Sequence, residues 1–152
     1  MKVNPDNVHC NARAQLADDS SVFHFWRRAI ALRSREDDAL VYGSFALLDV
    51  PASPIAGKEG TEDAEAAIGS PVFAFVRRAE EKGRTALFVG NFARAVVKVD
   101  LARLVDPFAD GTGKALLDEK ILPEMSNYSE GEAAAARSLS VLEPFEARLY
   151  LL

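Results

Sequence analysis

The sequence is poor in the residues that most often carry chemistry. In 152 residues it has one cysteine, Cys10, and two histidines, His9 and His24. A single cysteine excludes an internal disulfide framework and is compatible with a reducing compartment. His9 and Cys10 are adjacent, which is not metal-ligand spacing, and His24 stands apart on a helix, so no metal site is expected. No run approaches the ~18–20 apolar residues of a membrane span. Residues 1–7 are not an apolar leader, so a soluble, cytoplasmic chain without a membrane partner is expected. A basic stripe is missing as well. The formal net charge is -5, which argues against a nucleic-acid partner held by phosphate neutralisation.

Catalytic motifs are equally scarce. There is no Gly-x-Ser-x-Gly elbow, so a hydrolase serine has no support. Gly111-Thr112-Gly113-Lys114 has Phe108 where a phosphate loop needs glycine and Ala115 where it needs Ser or Thr, so it reads as an ordinary loop. The acidic groups Asp18-Asp19, Glu36-Asp37-Asp38 and Glu80-Glu81 fall at a helix start, a connector and a turn. Catalytic carboxylates need a partly dry pocket that raises one pKa, so these read as solvated charge. Asn127-Tyr128-Ser129 fits a glycosylation acceptor but reads better as a turn. Phe73, Phe75, Phe88, Phe92 and Tyr150 read as core packing before any sugar-stacking platform. No catalytic, cofactor-binding or metal residue is assigned.

What is present is an ordinary globular composition, 49% hydrophobic and 27% charged, long enough for one domain with a real core. Residues 1–11 read as an extended connector and 11–17 as a helical turn capped by Asn11. The organising stretch is 20–45. Val22, Phe25, Trp26, Ala29, Ile30 and Arg33 recur at helical spacing, widened by Phe23 and Leu32, while His24, Arg27, Arg28, Ser34 and Arg35 take the other side. After Asp37 and Asp38 the period changes, and 40–45 reads as the first strand, continued by 46–50.

The rest of the chain is strand-like. Residues 51–71 hold three prolines and few large apolar side chains, and read as a mobile insertion joining two strands of a hairpin. Val72–Arg78 and Thr85–Asn91 predict a hairpin. In 95–101, Val97, Val99 and Leu101 alternate with Val96, Lys98 and Asp100, as in a half-buried strand. Residues 107–113 read as loop, 115–122 as helix or strand, and 127–137 as loop with a possible alanine-rich turn. Residues 138–142 and 147–152 predict a closing pair of strands around Glu143-Pro144-Phe145-Glu146. Many short strands separated by turns make an antiparallel β-sandwich the expected fold.

Several phrases occur in a specific order: Met1-Lys2-Val3-Asn4-Pro5, Asn11-Ala12-Arg13-Ala14-Gln15, Ser21-Val22-Phe23-His24-Phe25-Trp26-Arg27-Arg28 with Ala31-Leu32-Arg33, and Leu40-Val41-Tyr42-Gly43-Ser44-Phe45. Val72-Phe73-Ala74-Phe75-Val76-Arg77, Asn91-Phe92, Ser126-Asn127-Tyr128 and 142–150 continue it. This series resembles the carboxyl-terminal part of the α-glucosidase and oligoglucosidase branch (maltase and isomaltase type) of the α-amylase superfamily. The resemblance implies a mainly β fold, an antiparallel β-sandwich preceded by one or two helices from the end of a (β/α)8 barrel. Residues 1–38 would close the barrel and 39–152 form the sandwich, with a flexible insertion at about 51–71.

In that family an Asp nucleophile, a Glu acid/base and a second Asp cleave α-linked glucose with retention. All three lie upstream of the part matched here, so the resemblance places none of them on this chain, which is expected to be inactive alone. The implied partner is the catalytic barrel, and oligosaccharide is expected to bind only through it. The resemblance sets Met1 at a methionine internal to the family's phrase, so a truncated gene or exon-level fragment is expected. The rival reading is a stand-alone β-sandwich module that binds glycan or protein. Without a barrel, the helix is expected to fold back on its own sandwich, self-associate, or fray over residues 1–35.

Overall fold

A short helical region leads into two antiparallel sheets in the computed structural model, which describes residues 5–8, 10–50, 52–54, 70–80, 84–105, 124–127 and 139–152. Pro5–Val8 forms a 3-10 turn rather than an extended connector; proline suits a first helical position because its missing N–H has no partner there. Helix α1 spans Ala12–Leu16, and Asn11 caps it as expected, its Oδ1 accepting from Ala14 N at 2.9 Å. Helix α2 spans Val22–Arg35. Its cap, Ser21, accepts from His24 N and donates to Gln15 O at 2.7 Å, which ties α2 to α1.

The orientation of α2 departs from the sequence expectation. Leu32 is the buried residue of this helix, and with Arg28, Ala31 and Arg35 it lies opposite Glu124, Met125 and Ser126. The stripe of Val22, Trp26 and Ile30 is 60–64% exposed. It has not folded back on the sandwich.

The first strand also begins later than the pattern implied. Asp37–Leu40 is helix α3, with Asp37 and Asp38 at the end where the helix dipole favours negative charge. Ala39 is buried. Strand β1 then runs over Ser44–Leu48. Gly43 makes the turn between them, and a Cβ there would lie 2.4 Å from Ala39 O and 2.7 Å from Arg78 O. Only glycine fits so close a backbone approach.

Strands β2 (Ala52–Pro54), β3 (Val72–Arg78), β4 (Thr85–Asn91) and β5 (Val97–Asp100) follow, then α4 (Leu101–Val105), β6 (Met125–Ser126), β7 (Leu139–Leu142) and β8 (Ala147–Leu151). One sheet has the order β1-β3-β4-β8-β6 and the other β2-β5-β7. Every pairing is antiparallel, so the sandwich-like expectation holds. The β3–β4 hairpin has the expected bounds, with Phe75 opposite Phe88 and Val76 opposite Leu87.

Three local readings are corrected. The 51–71 segment is not solely an insertion within a hairpin, because β2 inside it pairs with β5 in the second sheet. Leu101 does not end a strand but starts α4: Asp100 Oδ1 accepts from Arg103 N, and Leu101 and Leu104 bury one face. Strands β7 and β8 do not pair with each other. They belong to different sheets, so 143–146 is a crossover. The expectations for 107–113 and 115–122 lie outside the described residues, as does nearly all of 127–137.

The core lies between the sheets. Val72, Ala74, Val76, Leu87, Val89 and Tyr150 from the larger sheet meet Val97, Val99 and Leu142 from the smaller, with Val50, Leu101 and Leu104 at the margins. Period-two alternation places these side chains on one face of each strand.

Candidate functional site

The weighed chemical groups do not converge. His9, Glu81, the 111–114 loop, Tyr128 and Ser129 lie outside the described residues. Cys10 is exposed. His24 Nε2 lies 3.3 Å from Leu16 O and 3.9 Å from Asp19 Oδ1, a local helix-start arrangement. Asp18 accepts from Ser20 Oγ at 2.6 Å and Ser20 N at 2.9 Å, and these bonds hold its carboxyl below the ordinary range. Glu36 accepts from Arg35 and Arg84. Among the described residues, no group of three His, Cys, Asp or Glu side chains could hold a metal ion. Asn127 ties the end of β6 to the start of β8: Oδ1 accepts from Ala147 N at 2.7 Å and Nδ2 donates to Phe145 O at 2.9 Å.

Two hollows are open on the surface. One, of about 290 Å³, lies between α2 and β6 and is lined by Arg28, Ala31, Leu32, Arg35, Glu124, Met125 and Ser126. Arg35 is ion-paired to Glu124 across it and to Glu36 beside it, and those bonds raise its guanidinium above the ordinary range. The other, of about 480 Å³, is lined by Asp38, Tyr42, Ala79 and Glu80. Neither pairs a nucleophile with a base.

The polar network the sequence reading missed is structural. Glu146 and Arg148 form a buried ion pair, Nε to Oε1 at 2.6 Å. Glu146 Oε1 also accepts from Ser126 Oγ at 3.3 Å and Oε2 from Glu143 N at 2.8 Å, while Arg148 Nη2 donates to Val141 O at 2.8 Å. Burial opposes the charge on Arg148, but its bonds to Glu146 and Tyr150 outweigh that and raise its pKa. Buried Asn91 completes the crossover, donating to Ala95 O and Glu143 O and accepting from Ala93 N. Phe145 holds a φ of 59° at this turn, unusual for a bulky residue. The signal was available in the pattern: Arg148 shares strand parity with core residue Tyr150.

The surface feature that stands out is apolar. Register puts Phe45 and Leu47 of β1, Phe73 and Phe75 of β3 and Phe88 of β4 on the sheet face that points away from the core. This overturns the core reading for four of the five aromatics; Tyr150 alone is fully buried, and Phe92 is among the exposed. The rings form a chain: Phe45–Phe75 at 5.3 Å, Phe75–Phe88 stacked at 5.0 Å, and Phe73–Phe92 edge-on at 6.4 Å. Arg77 lies on the same face and ties down its far end, donating to Ala39 O, Val41 O and Gly43 O, so that α3 covers it. Among the described residues, the α2 stripe and the phenylalanine face are the apolar surfaces that stand exposed or half-exposed.

The fold is an antiparallel two-sheet arrangement with exposed apolar side chains, and comparison with known proteins adds to that description. No protein-family profile matches the chain. It is 28% identical over 145 residues to the oligo-1,6-glucosidase IMA5 of Saccharomyces cerevisiae, covering 93% of this chain and 18% of the relative. It is 28% identical over 150 residues to the oligo-1,6-glucosidase of Parageobacillus thermoglucosidasius, covering 99% and 21%. Among solved structures, trehalulose synthase MutB from Pseudomonas mesoacidophila MX-45 superposes with a TM-score of 0.59 at 26% identity, over 99% of this chain and 21% of that one. Isomaltulose synthase from Erwinia rhapontici NX5 gives 0.62 at 21% identity, over 100% and 21%, a likeness of fold. The chain spans about a fifth of the length of the curated relatives it matches. It is a low-identity homologue of α-amylase-superfamily enzymes over that fraction.

Proposed function

We propose that this chain is the C-terminal unit of an α-glucosidase-like glycoside hydrolase acting on α-linked gluco-oligosaccharides, and that it stabilises the catalytic barrel without supplying catalytic groups. The observation that carries this reading is the match itself, end to end in this chain but over about a fifth of each oligo-1,6-glucosidase. The outward stripe of Val22, Trp26 and Ile30 supports it, because an amphipathic helix ordinarily buries its apolar face. A barrel would cover that stripe, and saccharide would reach the protein only through the barrel.

The test has two parts. Translation of the DNA upstream of Met1 is expected to yield barrel sequence with the catalytic carboxylates; stop codons in every frame there would refute the proposal. The purified chain is expected to release no glucose from maltose or isomaltose, and turnover that follows the chain through purification would overturn that expectation. A second reading, a free-standing interaction module, is favoured by the phenylalanine face. Apart from the stacked Phe75 and Phe88, its rings lean on one another at tilted and edge-on angles, which suits an apolar protein partner better than a flat platform for sugars.

A further inference from the structure

The two sheets end in four edges: β1 and β6 in one, β2 and β7 in the other. Open edges invite strand addition, and proteins guard them by shortness, proline, charge or cover. Strand β6 has two residues, and β2 has three, including Pro54. In β7, Arg148 occupies the Val141 carbonyl. Among the described residues, strand β1 has none of these guards. Its five residues, Ser44-Phe45-Ala46-Leu47-Leu48, include no charge and no proline, and they pair in unbroken register with β3 alone among the described strands. Phe45 and Leu47 project from it, 57% and 62% exposed.

This edge is complementary to itself. Residues opposite each other in an antiparallel pair share a face, so two copies of one strand can meet only in registers that keep odd with odd and even with even. A two-fold axis through Ala46 satisfies that rule and pairs all five residues. It sets Ser44 opposite Leu48 of the second copy and Phe45 opposite its Leu47. Aromatic–aliphatic cross-strand pairs of this kind stabilise sheets, and the chain of rings from Phe45 to Phe88 would continue across the axis. The absence of charge lets the copies approach without repulsion or an unpaired ion.

We propose that two copies of this chain pair antiparallel through β1 about a two-fold axis at Ala46, joining their larger sheets into one. Five residues of ladder and two pairs of apolar side chains hide less than the ~800 Å² per partner of a standard interface, so the dimer is a concentration-dependent one. Sedimentation equilibrium of the full chain, from about 10 µM to about 1 mM, covers the range of small interfaces. The average mass is expected to climb from 16.5 kDa towards twice that value. Leu47→Lys places charge on an exposed edge position and is expected to hold the mass at the monomer value with an unchanged circular dichroism spectrum. Register is tested in a Cys10→Ser background: Phe45→Cys chains mixed with Leu47→Cys chains are expected to form a mixed disulfide under mild oxidation, each alone far less. A wild-type chain monomeric at the highest concentration overturns the proposal and leaves this face to the barrel of the proposed enzyme. Association untouched by Leu47→Lys, or cross-linking equal in mixed and single samples, overturns it as well.

Discussion

Glu146 offers the strongest single perturbation of the sandwich. Its two carboxylate oxygens accept from Arg148 on β8, Ser126 on β6 and Glu143 N at the crossover. Glu146→Ala removes all three hydrogen bonds and leaves the Arg148 guanidinium buried without its counter-ion. Breaking one side of a buried pair costs ~3–5 kcal/mol, a large share of the ~5–15 kcal/mol that holds a domain together. At ~2–4 °C per kcal/mol for a chain of this size, the melting temperature falls by roughly 6–20 °C. Replacing both members, Glu146→Leu with Arg148→Met, removes the charges together. The double variant still breaks the bonds to Glu143 N, Ser126 Oγ and Val141 O, but the first two are broken in Glu146→Ala as well, so the buried lone charge sets the difference. The double variant is therefore expected to be more stable than Glu146→Ala alone. Urea denaturation of the wild type, Glu146→Leu, Arg148→Met and the double closes the cycle. If the double variant loses as much as the two single losses combined, the pair is not coupled and this reasoning is wrong.

Gly43→Ala drives a methyl group into two backbone carbonyls and is expected to cost ~1–3 kcal/mol; a neutral result in urea denaturation would contradict the close approach. Arg77→Met frees three carbonyls that its guanidinium satisfies and is expected to cost ~1.5–3 kcal/mol, with amide hydrogen exchange rising first in α3. The Asp18 carboxyl, held down chiefly by Ser20 Oγ from an ordinary value of 3.8, is expected to titrate below that value in a carboxyl-carbon NMR experiment. Because the folded pKa is the lower one, its contribution is complete above the unfolded value and fades as pH falls through the folded value; a midpoint at or above 3.8 would refute the assignment.

Legibility followed how local each signal was. The β3–β4 hairpin was readable to the residue, because period-two alternation over seven residues on each side leaves little freedom. The Asn11 cap was readable for the same reason, since it acts within three residues. Helix α3 was missed because Leu40-Val41-Tyr42 has strand-like composition. Its helical hydrogen bonds come from Asp37 and Glu36 carbonyls, and the fold there depends on Arg77, more than thirty positions away. The division of β7 and β8 between sheets was hidden likewise, since Glu143-Pro144-Phe145-Glu146 is as compatible with a hairpin as with a crossover. The deciding contacts come from Asn91 and Ser126. No candidate site was assigned, and the apolar surfaces went unread because Phe73, Phe75 and Phe88 carry the same alternation on either face of a sheet.

That last ambiguity also governs α2. Periodicity establishes that Val22, Trp26 and Ile30 share a stripe; it cannot say what the stripe meets. In this chain the helix is held instead by Leu32, by the Ser21 bond to Gln15 O and by Arg35 with Glu124. The stripe therefore adds little to the chain's own core. Each of these side chains would contribute ~1.5–3 kcal/mol if a partner removed it from water. Three of them on one helix turn a small contact into a firm one, whereas a helix meant for solvent would carry charge at those positions. The exposed stripe and the match over a fifth of the relatives are independent observations, one energetic and one of length. Both fit a protein that docks onto a larger body, which is why the barrel, rather than a ligand, is the partner we propose for the helix.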